Sequence, residues 1–163
     1  MSRRSYAVGL TAAALALVLD QLSKWVVVRY FDGGGDVVAL GPLLTVIRTA
    51  NHGVSFGMFN DGAGWQSWFF SGFAVLVVAV LLHLLGSVRT IPGMLGHGLI
   101  IGGAIGNLID RVRYGSVVDF VDFHVPAWGF QWFIFNVADA AICVGVGLWL
   151  LDSLLQRPES PKA

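Results

Sequence analysis

Few residues in this chain are equipped for chemistry, and those few stand at helical spacings inside apolar sequence. "LDQLSKW" sets Asp20 and Lys24 four residues apart, "GNLIDR" sets Asn107, Asp110 and Arg111 at i, i+3 and i+4, and "FNVADAAI" sets Asn136 and Asp139 three apart. Each set shares one face of a helix. A charge at membrane depth costs about 2.5–3.5 kcal/mol even on a lenient insertion scale, so these groups must face one another or a wet cavity. Asp20–Lys24 and Asp110–Arg111 can be read as ion pairs that serve packing. That reading is weaker for Asp139, whose own helix offers no basic residue within a turn.

A second carboxylate stands in "VVDFVDF": as a single loop residue Asp119 reads by default as an exposed acid, yet it is flanked by valine and phenylalanine rather than by the polar residues of a solvated turn. Asp119 and Asp139 bracket one short excursion between two apolar runs, so the chain can bring them together. Two neighbouring carboxylates do not ionise independently; one keeps a proton and the pair titrates as a unit. That state can activate a water and protonate an amide leaving group. Two other chemistries use similar residues. Ser55 with Lys24 would make a serine-lysine peptidase, whereas Ser23 points about 100° away from Lys24 on the same helix. Intramembrane Asp, Asn and Lys also build proton relays. The absence of an internal repeat argues against a transporter.

The elements that must hold these residues follow from composition. Of 163 residues, 56% are hydrophobic and 12% charged, where a soluble domain is nearer one quarter charged. The fold class expected is an all-α polytopic membrane protein, a single domain of four transmembrane helices with a small extracytoplasmic β-sheet and loop region. Spans of about 20 residues cross the hydrocarbon, and four apolar runs qualify, at 6–28, 65–85, 93–109 and 131–151. Outer loops then cover 29–64 and 110–130, with a cytoplasmic tail at 152–163. The basic start and apolar core of the first run resemble a signal peptide, but hydrophobicity resumes after Asp20, so it reads as a retained span. Arg3, Arg4, Arg89, Arg157 and Lys162 share one side, which the positive-inside rule makes cytoplasmic. Arg111, on the other side, is expected to have a task that overrides topology.

Further expectations concern position. Asp20 and Asp139 each lie about eight residues inside their spans, roughly 12 Å deep at 1.5 Å per residue. Gly98, Gly102 and Gly106 form a small-residue face for a neighbouring helix. Trp65, Trp68, Trp128 and Trp132 fall at outer span ends as an interfacial belt. The loops mix β-branched residues with Gly and Pro and read as short strands. Cys143, the single cysteine, reads as a packing residue. The four scattered histidines give no metal site, and zero net charge without basic runs gives no reason to expect nucleic acid.

Taken in order, "DQLSK", "NHGVSFGMF", "GGAIGNLIDR", "VVDF" and "FNVADAAI" resemble the lipoprotein signal peptidase (signal peptidase II) family from Asp20 to Ile142. The resemblance implies a bacterial plasma (inner) membrane aspartic peptidase, monomeric, multi-pass, with both termini cytoplasmic and its site near the extracytoplasmic surface. Such enzymes remove the signal peptide from diacylglyceryl-modified prolipoproteins, just before the lipidated cysteine. By motif, Asp119 and Asp139 resemble the catalytic dyad. Asn51, Asn107, Arg111 and Asn136 resemble the residues that line the site, and Asp20, Lys24 and Asp110 a supporting shell. The resemblance also implies contact with membrane lipid, inhibition by globomycin-type cyclic peptides and no cofactor, since the dyad supplies both acid and base. Ser55, Phe133 and Ala140 stand where many members have alanine, proline and serine.

Overall fold

A computed structural model describes residues 2–52, 65–125, 130–131 and 134–155. Ser55, Trp128, Trp132, Phe133, Arg157 and Lys162 lie outside the described residues.

Four helices form the body: α1 (Arg3–Asp32), α2 (Trp65–Leu85), α3 (Ile91–Tyr114) and α4 (Val137–Leu155). All four are long and apolar enough to cross a membrane. Near one end of the bundle lies an antiparallel sheet in the order β1 (Val38–Ala39), β2 (Leu44–Asn51), β3 (Val117–Val125) and β4 (Phe130–Gln131). The strands expected in the two loops are therefore present, and they pair with each other across the bundle end.

Helix α3 is the axis of the bundle: 67% of its most apolar window is buried, against 11–28% for the others. It packs on α1, α2 and α4. Small residues make this close approach feasible on two faces. Gly98 and Gly102 lie against the α1 backbone at Gly9 and Ala13, and Gly106 faces the Asp20 carboxylate. On the other face, Gly96 and Gly103 meet the α4 carbonyls of Gly145 and Ala138. The four-residue repeat in the sequence marks the first face and not the second. Elsewhere the helices present apolar side chains outward, including Trp65 and Trp68, as a lipid-facing surface requires. Cys143 is exposed on α4, so it is an outward-facing residue and its reading as a packing residue is corrected.

The helix ends differ from the predicted spans. Thr90 caps α3, its side chain accepting from Gly93 N at 3.3 Å, and Gly115 ends the helix in the left-handed region with φ 72°. No breaker intervenes before Gly115, so α3 carries Asp110 and Arg111, which the predicted boundaries assign to the outer loop. Helix α4 opens at Val137 rather than at 131. The chain before it is held extended: Phe135 bridges Val121 of β3, with reciprocal backbone bonds of 3.0 and 2.8 Å. Asp139 therefore sits in the first turn of α4 and not well along it.

Candidate active site

The N-terminus of α4 is sunk between α1 and α3, level with Asp20 and Asn107, while both neighbours run on past it. A helix start buried in this way leaves N–H groups that must find partners. Asn136 and Asp139 supply a reciprocal cap: Asp139 N donates to Asn136 Oδ1 at 3.0 Å, and Asn136 N donates to Asp139 Oδ2 at 3.2 Å. The next N–H, on Ala138, reaches across to Asp20 Oδ1 of α1 at 2.9 Å. That contact also sets an anionic group at the positive end of the α4 dipole.

Strand β3 carries Asp119 to the same place. Residues 117–120 are buried, and Asp119 is only 1% exposed. In the β2–β3 register Asn51 faces Val117 and Thr49 faces Asp119, so Asn51 lies diagonal to Asp119 on the same face. Its Nδ2 donates to Asp119 Oδ2 at 2.8 Å. The other oxygen, Oδ1, accepts from Asn136 Nδ2 at 2.6 Å. Asn136 is fully buried and its amide also reaches Asn107 Oδ1 at 3.1 Å and the Val118 carbonyl at 3.3 Å. Asn107 in turn donates to Asp139 Oδ1 at 2.8 Å. Asn136 thus stands between the two carboxylates and bonds to both.

Behind them lies a second layer. Lys24 Nζ has three acceptors for its three protons: Asp20 at 2.9 Å, Asp110 at 2.8 Å and Asn107 at 3.0 Å. Asp110 Oδ2 also accepts from Val118 N at 3.1 Å. Asp20 therefore grips the backbone N–H of the residue before Asp139, Asp110 grips that of the residue before Asp119, and Lys24 ties the two grips together. Gln21, which sequence reasoning misses, bonds Asp20 at 3.1 Å, Asp110 at 3.2 Å and the Gly106 carbonyl at 3.3 Å. Its only sequence signal is its place inside "DQLSK".

The ion pair read as Asp110–Arg111 does not form; Asp110 pairs with Lys24 from α1. A residue at i+1 projects from a different side of the helix than its neighbour. Arg111 instead lies over the Phe70 ring of α2, with 5.5 Å from Cζ to the centroid. There it feels the charges of Asp139, Asp119 and Asp110. Its Nε is buried with no acceptor among the described residues. Asp119 differs from an ordinary carboxyl. Burial pushes it up to about 6, opposed by the Asn51 hydrogen bond and reinforced by the charge of Asp139.

Ser23 Oγ donates to the Asp20 carbonyl at 2.8 Å, and Lys24 is held between two carboxylates. All three of its contacts are to acceptors, Asp20, Asp110 and Asn107, so it is engaged as a donor rather than presented to a serine hydroxyl, which weakens the serine-lysine alternative.

Fold and site together define a multi-pass membrane protein with a buried cluster of carboxylates, amides and one lysine near one bundle end. The chain belongs to the signal peptidase II family: the family model described as signal peptidase (SPase) II matches residues 12–155. The lipoprotein signal peptidases of Salmonella newport (strain SL254) and Salmonella heidelberg (strain SL476) are each 39% identical over 146 residues, covering 88% of this chain and 86% of theirs. Two solved bacterial membrane enzymes share the fold. One has a TM-score of 0.74 at 24% identity, covering 96% of this chain and 95% of the other. The second has a TM-score of 0.73 at 26% identity, covering 93% and 95%. Membership implies a peptidase that removes signal peptides from prolipoproteins.

Proposed function

We propose that this protein is an aspartic endopeptidase that cuts diacylglyceryl-modified prolipoproteins just before the lipidated cysteine, with Asp119 and Asp139 as its dyad. The observation that carries this reading is the Asn136 bridge, which holds one buried and one partly exposed carboxylate in a single hydrogen-bonded unit. Asp119, pushed up to about 6, is the member suited to carry the proton. Asp139 is the base: it takes a proton from water as the water oxygen bonds to the scissile carbonyl carbon. Asp119 gives its proton to the carbonyl oxygen. The resulting diol collapses as a proton passes to the amide nitrogen and the C–N bond breaks. The signal peptide leaves with the new carboxyl and the lipoprotein keeps a free amine. In this reading Arg111, whose buried Nε has no acceptor among the described residues, and Asn51 bind substrate backbone.

The lipid and the signal helix keep the substrate in the bilayer, so membrane lipid is a partner and the bond is confined to the depth of the dyad. We read the enzyme as a monomer with cytoplasmic termini and its site near the extracytoplasmic surface of a bacterial inner membrane. A globomycin-type cyclic peptide would occupy the same cleft. The test is a gel-shift cleavage assay on a diacylglyceryl prolipoprotein with Asp119→Asn, Asp139→Asn and Ser55→Ala, each first shown to insert and fold. Each Asp variant is expected to lose at least about 10³-fold in rate, with Ser55→Ala active. Cleavage retained by either Asp variant would sink the dyad.

A further inference from the structure

A polar cavity of about 550 Å³ opens between the ends of α1 and α3, and neither Asp119 nor Asp139 lines it. Its floor is Gln21, Lys24, Asp110 and Val118, and its rim carries Arg29, Asp32, Arg113, Trp25 and Tyr114. The charges do not balance. Lys24 is more than matched by Asp20 and Asp110, which leave one negative charge over at the floor, and Asp32 is ion-paired with Arg48, so two further arginines make the surroundings of the cavity net positive by one. Arg29 and Arg113 have no carboxylate partner among the described residues, and they face the same cavity from two different helices. The Arg29 guanidinium lies over the Trp25 ring, 5.6 Å from its centroid, so it is held rather than loose. A guanidinium in the last turn of a helix interacts favourably with the dipole. That accounts for one arginine on each helix but not for their convergence on one polar pocket.

Trp25 and Tyr114 are 59% and 57% exposed, amphipathic rings of the kind that sit at headgroup level. A polar pocket at that depth, with two unmatched guanidiniums, fits a phosphate oxyanion, which arginine binds bidentately. We infer that this cavity binds a phosphate group, supplied in the membrane by the headgroup of an anionic phospholipid. Its floor residues hold both grips behind the dyad, so an occupied pocket would brace α1 against α3 beneath the site. This inference does not depend on which peptidase chemistry the dyad performs.

Native mass spectrometry of the full-length protein, released from nanodiscs of equal phosphatidylglycerol and phosphatidylcholine, tests it by reading bound lipid directly. Wild type is expected to retain one phosphatidylglycerol in clear excess over phosphatidylcholine, and so is Arg3→Gln/Arg4→Gln, which removes equal charge from the other bundle end. The Arg29→Gln/Arg113→Gln variant, with helix content unchanged by circular dichroism, should lose that preference by about tenfold. Equal retention by the two double variants, or no preference in wild type, overturns the proposal. Inorganic phosphate is the competing arm. If millimolar phosphate displaces the retained lipid and itself remains bound, the phosphate site stands but the lipid assignment falls.

Discussion

At the scale of single residues, the proposed dyad is asymmetric because its two carboxylates are held by different parts of the molecule. Asp119 is walled in by the sheet and by two amides, whereas Asp139 shares the first turn of a helix with its cap. The asymmetry has a measurable consequence in pH. Asp119 is raised, mainly by burial, to about 6, so the protonated form needed as the acid is present below that value and is lost above it. The pH profile of kcat/KM is expected to fall about tenfold per unit on an alkaline limb near pH 6, reported for the dyad as a unit. The Asn51 hydrogen bond lowers the same group, so Asn51→Ala should move that limb to higher pH while slowing the reaction. A limb unmoved by Asn51→Ala would remove Asp119 from the titration. Stability carries the same sign. Folding favours protonated Asp119, so its contribution to stability declines as pH rises from about 4 through 6, and Asp119→Asn should make that slope shallower.

At the scale of elements, the site depends on how deeply α4 begins. Gly103 sets that depth from one side: a Cβ there would meet the Ala138 carbonyl, and Ile142 Cγ1 at 2.8 Å. Because backbone cannot move aside as a flexible side chain does, Gly103→Val should push α4 outward. The expected overpacking penalty is about 1–3 kcal/mol, and Asp139 should shift away from Asn107. Thermal unfolding in detergent should show the lower midpoint, and activity should fall further than stability because positioning of the base is sensitive to small displacements. The same substitution at Gly147, which has open space around it, is the control and should change neither.

At the scale of the whole molecule, one cation links the helices that carry the site. Lys24 joins the aspartate that holds α4 to the aspartate that holds β3, with side chains 5% exposed or less at all three positions. Lys24→Met leaves two buried carboxylates facing each other without compensation, which typically costs about 3–5 kcal/mol. We expect a large drop in the unfolding midpoint in detergent, together with loss of cleavage, because both dyad carriers are released at once. A variant that stays as stable as wild type would show that α1 does not link the two carriers energetically.

Much of this molecule is legible in its sequence alone. The four helices follow from runs of apolar residues, and the small-residue face of α3 from a four-residue repeat. The demand that Asp20, Lys24, Asn107, Asp110, Asn136 and Asp139 face one another follows from the cost of charge in lipid. Those are properties of composition and short spacing, which one strand of sequence carries in full. What it does not carry is partnership between segments. Nothing in "GNLIDR" says that Asp110 passes over its neighbour Arg111 for a lysine on α1, or that Asp119, in a loop by position, is among the most buried acids. Nor does the apolar run 131–151 reveal that α4 waits until Val137, because the residues before it pair with β3. Hydrogen bonds across the bundle decided these points, since only the folded chain determines which buried groups are near enough to satisfy each other.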